Sequence, residues 1–262
     1  MLDYATKAIV HHIRTRAIVT EALEIAFCLY LVWLKARDPA FADIFMLYPA
    51  CLSLVVSGTI AYRRTISVRG EKSYVDLSKL SERQAFLLGE MVACLLVTLL
   101  AIVITIGFAG ALAPQVVFAD GEKLVLGTGF LLVGAATAIS VTFLLSGLAL
   151  PSDTPSVLAI AVIVFGFSRS SLASEMNKVV HHPELVSSVA AVIKVLVPPL
   201  EELTRASMTG KFADYLVALG NAVIYFAITV LAALWLFCRR EFTAKSEEVQ
   251  RGAAGHERRS AS

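Results

Sequence analysis

Two runs of 29 residues, Met91–Ala119 and Leu124–Ser152, contain no charged side chain at all. A helix on the surface of a soluble domain keeps one face polar, whereas about 20 apolar residues are enough to cross the hydrocarbon of a bilayer. Lipid offers a backbone no hydrogen-bond partners, so segments of this kind are expected to be helices. The composition points the same way, with 57% hydrophobic residues, 17% charged residues and a mean hydropathy of +0.74. A soluble domain carries about 25% charged residues. A formal charge of only +2 argues against a nucleic-acid binder, which needs a concentrated basic face. Cys28, Cys51, Cys94 and Cys238 have no CxxC spacing and fall in or at the end of apolar stretches, so they read as small core residues.

In chain order, Leu2, Ala5, Ile9 and Ile13 fall on one helical face and Lys7, His11, Arg14 and Arg16 supply polar positions, which predicts an interfacial helix over residues 1–16. It has neither the apolar core nor the cleavage site of a signal peptide and is expected to stay in the mature protein. Apolar segments then predict six spans, at about 17–34, 45–62, 84–113, 124–148, 155–169 and 215–238. The third is expected to end near Pro114, and the polar turn Asp120, Gly121, Glu122, Lys123 separates it from the fourth. The fourth carries Gly127, Gly129, Gly134, Ala135, Ala138 and Gly147, which permit close helix packing, with Ser140, Thr142 and Ser146 able to bond across. Residues 170–214, including His181, His182, Lys194 and the pair Pro198-Pro199, read as an external cap of short helices. The two histidines point different ways on a helix and have no third ligand, so they read as solvated. The tail, 239–262, is small, polar and charged, and is expected to be disordered.

Two features carry candidate chemistry. Glu21 and Glu24 are three residues apart, hence on one face of the first span, where a charge must face protein, water or a partner. They read either as an intramembrane proton or cation site or a polar lining of a substrate path, or as side chains reaching headgroup water or pairing with Arg14 or Arg16. The second feature is a charged island, Arg63 to Glu90, between the second and third spans. Within it Tyr74, Leu77 and Leu80 recur at helical spacing, giving a short amphipathic helix whose apolar edge is too small to be a core. It reads as a solvated loop with an incidental helix or as a docking element for something outside the chain.

Lys and Arg set the orientation. With both termini in the cytoplasm, the N-terminal segment, the island and the tail hold 15 of the 23 basic residues. That arrangement needs an even number of spans, and six fits.

This order of parts resembles the permease subunit of an ABC transporter of the type 2 exporter family. The likeness rests on an interfacial helix, two spans, a basic loop with a coupling helix, then three spans and a partly re-entrant external region before the sixth. The family's loop motif corresponds here to Arg69, Gly70 and Glu71, then Leu77 and Leu80, then Ser81, Arg83, Leu87, Leu88 and Gly89. The run Phe237 to Phe242 is similar to the aromatic and basic finish of the family's last helix. Two positions depart from the pattern: no Pro precedes Ser81, and Glu90 stands where a Lys is usual. The resemblance implies an all-α polytopic fold in a bacterial cytoplasmic membrane, a second permease copy or homologue, and a separate ATPase subunit that binds ATP and Mg. It implies contacts to that ATPase by Arg69, Glu71, Tyr74, Leu77, Lys79, Leu80 and Glu82, with a smaller one at Pro151, Ser152 and Asp153. The chain has no GxxxxGK[ST] loop, since Gly210-Lys211 is followed by Phe212, so no cofactor is expected in it and ATP hydrolysis falls to the partner. An external partner is expected at 170–214. The alternative is a proton-coupled secondary transporter using Glu21 and Glu24, although no inverted repeat is visible. An intramembrane enzyme finds no GxSxG or HExxH.

Overall fold

A computed structural model describes residues 18–67, 83–146, 154–168 and 197–239, together with Thr6 and Val10. The interfacial helix expected over 1–16, the island from 68 to 82, Pro151, Ser152 and Asp153, the histidine pair and the tail lie outside the described residues. Those described are almost entirely helical, with no strand among them. We number the helices α1 (Ile18–Lys35), α2 (Phe41–Ile44), α3 (Leu47–Ser67), α4 (Arg83–Leu112), α5 (Pro114–Val117), α6 (Gly121–Leu144), α7 (Thr154–Phe167), α8 (Leu200–Thr209) and α9 (Leu216–Arg239), the last entered through a 3-10 turn at Phe212–Tyr215. Four elements, Phe41–Thr65, Arg83–Leu112, Gly121–Leu144 and Phe212–Arg239, are long and apolar enough to cross a membrane.

Local chemistry sets the boundaries. Pro114 lacks an amide hydrogen and opens α5 just after α4 stops, where no donor is missed. The polar turn at Asp120 is a helix start: its Oδ1 accepts the Lys123 amide at 2.9 Å and caps α6. In the loop after α1, Asp38 accepts the Ala40 amide at 3.0 Å and pairs with Lys35, which holds its carboxyl below the usual range. The island starts later than the charge pattern indicates, because α3 continues through Arg63 and Arg64 to Ser67.

Helix α6 is the centre of the bundle. It packs against α3, α4, α7, α8 and α9, while α1 lies against α3 and α4. One core cluster joins Val56, Ile60, Leu87, Cys94, Ile139, Phe143 and Phe237, near the end where α3, α6 and α9 finish and α4 begins. A second, around Phe41, Met46, Ile102, Ala109 and Leu131, fills the opposite end. Between α6 and α9 the Ser140 and Thr229 hydroxyls share a buried 2.7 Å hydrogen bond, which realises one of the cross-helix bonds read from the sequence. Thr142 and Ser146 donate to carbonyls of their own segment, Ala138 and Phe143.

The described part of the region expected to be an external cap of short helices holds one short helix that packs into the bundle. Helix α8 buries Leu200, Leu203, Ala206 and Ser207 along α6. The reason lies in α6: a Cβ at Gly127 would lie 3.3 Å from the Ser207 carbonyl oxygen, and Gly134 sits under Leu200 and Leu203. Gly166 near the end of α7 makes a similar approach, its Cβ position falling 2.9 Å from the Pro198 carbonyl oxygen. Gly129, in contrast, has nothing within 4 Å of its Cβ position.

These distances predict that Gly166→Ala lowers stability by about 1 to 3 kcal/mol through overpacking against backbone. Gly129→Ala gains helix propensity without a clash and is expected to be neutral or stabilising. Thermal unfolding of the purified proteins in detergent checks both.

Candidate functional site

Charges inside the bundle gather in two places. The first is the end where α1 and α4 begin and α3 finishes. Arg63 and Arg64 are neighbours on α3, so their side chains leave the axis about 100° apart. One reaches α1 and the other α4. Arg63 Nη1 lies 3.1 Å from Glu21 Oε1, and Arg64 Nε lies 2.9 Å from Glu90 Oε2. Arg64 and Glu90 are both almost fully buried, at 6% and 7% side-chain exposure, against the core formed by Ile60, Leu87 and Cys94. A charge at such a place persists only with an opposite charge in contact. One turn from Glu21, Glu24 accepts a hydrogen bond from Thr59 Oγ1 at 3.2 Å. The two carboxylates on α1 are thus both engaged by α3.

Among the sequence candidates, Glu21 and Glu24 are therefore brought together at the α1–α3 seam, with Arg63 as a partner of Glu21. Arg14 and Arg16, the partners weighed from the sequence, lie outside the described residues. So do Arg69, Glu71, Tyr74, Leu77, Lys79, Leu80 and Glu82. Glu90, which departs from the family pattern, is the partner of Arg64. The sequence offered a signal for that pair: a carboxylate near the start of a long apolar helix requires a counter-charge, and the island has basic residues nearby. Arg83 adds a long contact to the end of α9, donating to the Cys238 carbonyl at 3.5 Å, and the Phe86 and Phe237 rings stack beside it.

The second place is the start of α8. Glu201 and Glu202 occupy its first turn, where the N-terminal amides favour negative charge. Arg205 Nη2 pairs with Glu201 Oε1 at 2.7 Å. Sequence reading missed these residues because ten residues with three charges look like a solvated helix. Among the described residues no three His, Cys, Asp or Glu side chains come together as a metal site.

No protein-family model matches the chain, and no curated protein matches it.

Removing one member of the buried pair leaves the other charge uncompensated. Arg64→Ala and Glu90→Ala are each expected to destabilise the protein by about 3 to 5 kcal/mol, and Arg64→Met combined with Glu90→Leu by clearly less. Unfolding of the single and double variants in detergent gives the comparison.

Proposed function

We propose that the chain is the membrane-spanning permease subunit of an ABC exporter. In this reading α1, α3, α4, α6, α7 and α9 are six spans in a bacterial cytoplasmic membrane, both termini face the cytoplasm, and a separate subunit binds ATP and Mg and hydrolyses the nucleotide. A second copy or a homologue completes the path. The observation that supports this best is the common end of the helices. Ile60 of α3, Leu87 of α4, Phe143 of α6 and Phe237 of α9 share one core cluster. The end of α3, the start of α4 and the end of α6 therefore lie on the same side of the bundle, which suits a single ATPase that contacts both connecting segments.

The coupling helix would seat in a groove of the ATPase, with Tyr74 and Leu77 as apolar anchors and Arg69, Lys79 and Glu82 as a charged rim. Pro151, Ser152 and Asp153 would make the smaller contact. Closure of the ATPase pair would push on both segments and tip the spans as rigid bodies between inward-open and outward-open states. The two arginines at the end of α3 suit this task, because they tie α1 and α4 to the helix that leads into the coupling segment.

The proton-coupled alternative draws on Glu21 and Glu24 lying side by side at the α1–α3 seam. It requires transport driven by a pH gradient without ATP, and reconstituted vesicles distinguish the two.

Leu77→Asp is expected to abolish substrate-responsive ATP hydrolysis of the purified complex while leaving the permease in the membrane. Pull-down in mild detergent should recover an ATPase with the native chain and lose it when Tyr74 and Leu77 are both replaced by Ala. Unaltered ATPase activity and recovery in these variants would sink the coupling role.

A further inference from the structure

Helix α9 is covered by protein along one face and bare along the other. Ala222, Thr229, Ala233 and Phe237 are buried toward the bundle, with Thr229 bonded to Ser140 of α6. Val217, Ile224, Ile228, Leu231 and Trp235 recur at helical spacing on the opposite side, and all are exposed. In a helix long and apolar enough to cross a membrane, such a stripe is where acyl chains lie. At a rise of about 1.5 Å per residue, Trp235 lies roughly 27 Å along α9 from Val217, close to the hydrocarbon thickness of about 30 Å. Trp235 therefore marks the level at which headgroups begin, which suits an indole.

The stripe ends on Arg239, one turn beyond Trp235 and exposed on the same face. Its guanidinium carbon lies 4.2 Å from the centroid of the Trp235 ring. Stacking uses the flat face of the guanidinium and leaves the N–H groups at its edge to donate. Among the described residues no carboxylate pairs with Arg239, and the Trp235 indole N–H donates to no protein group. The acids at this end of the bundle are engaged elsewhere, Glu21 by Arg63, Glu24 by Thr59 and Glu90 by Arg64. Arg83 brings a second guanidinium, since its Nη1 donates at 3.5 Å to the carbonyl of Cys238, the residue before Arg239. The last carbonyls of α9 offset these charges only in part, because a helix terminus carries about half an elementary charge.

We propose that Arg239 and Trp235 bind the headgroup of an anionic phospholipid, whose phosphate accepts hydrogen bonds from the guanidinium and the indole N–H while an acyl chain lies along Leu231, Ile228 and Ile224. The phosphodiester supplies the countercharge that no described carboxylate gives Arg239, and the stripe supplies a chain contact that a free phosphate ion has no use for. A second copy of the chain seated on this face about a two-fold axis would instead bring Arg239 toward its own counterpart, and like charges repel. The bound headgroup anchors the end of α9, the candidate span with the smallest share covered by protein. The inference rests on α9 spanning a membrane and is independent of any ATPase.

The chain has two tryptophans, so Trp33→Phe leaves Trp235 as the single indole emitter. The purified chain is reconstituted in vesicles of phosphatidylcholine and phosphatidylglycerol, with bromine on the acyl chains of one lipid or the other. Quenching of Trp235 then reports which lipid lies beside it. Phosphatidylglycerol is expected to be preferred by a factor of about five at low salt, and Arg239→Gln in the same background to bring the preference close to one. Salt at about 1 M is expected to weaken the preference. Equal quenching by the two lipids in the chain that keeps Arg239 overturns the proposal, as does a preference that Arg239→Gln leaves unchanged. Quenching by neither lipid means that protein covers Trp235, and it overturns the proposal as well. If Arg239→Gln fails to accumulate, the comparison of the two lipids in the chain that keeps Arg239 decides. The assay needs neither ATP nor a second subunit. Equal quenching in a chain that still recovers an ATPase overturns the lipid site alone, and a preference in a chain that recovers none supports the site while removing the exporter reading.

Discussion

The bundle depends on how closely other helices can approach α6. Between helices in lipid there is little hydrophobic driving force, and association relies on van der Waals contact and on hydrogen bonds across the seam. Helix α6 meets that demand with Gly127, Gly134, Ala135, Ala138 and Ser140, all small and all buried. Their size lets α8 bring the Ser207 carbonyl against Gly127 and lets α9 share the Ser140 to Thr229 hydrogen bond. Bulk at these positions would separate the neighbours, and both core clusters draw on residues of α6.

Where contact alone does not hold the structure, charge does. The seam between α1, α3 and α4 carries Glu21, Arg63, Arg64 and Glu90 as two ion pairs at one end of the bundle. Their arrangement gives α3 two attachments with separate partners. The same helix enters the segment that the proposed function assigns to a partner subunit, so a force on that segment meets α1 and α4 together through α3.

The sequence made the long helices legible because charge is excluded from lipid. The uncharged run from Met91 placed the body of α4, and Pro114 marked its end. The polar turn at Asp120 was visible, but its role as a cap depends on a side chain reaching an amide three residues on. The partners of Arg63 and Arg64 were not legible, since the spacing of charges along α1 and α4 does not say which faces turn toward α3. The burial of helix α8 was hidden for a related reason. Its burial comes from glycines on another helix, and Gly127 and Gly129 differ only in where they face. The composition of residues 200–209 alone reads as solvated.

The arginine doublet also fixes the register of α3. Each residue added or removed between Leu47 and Tyr62 would turn the helix by about 100° relative to everything below it. A one-residue deletion would bring Arg64 to the place of Arg63 beside Glu21, and a one-residue insertion would bring Arg63 to the place of Arg64 beside Glu90, so either change keeps one pair and loses the other. The number of residues in α3 therefore cannot drift without losing one of the two pairs. In a chain otherwise built from interchangeable apolar side chains, the two adjacent charges act as an index mark that counts the helix.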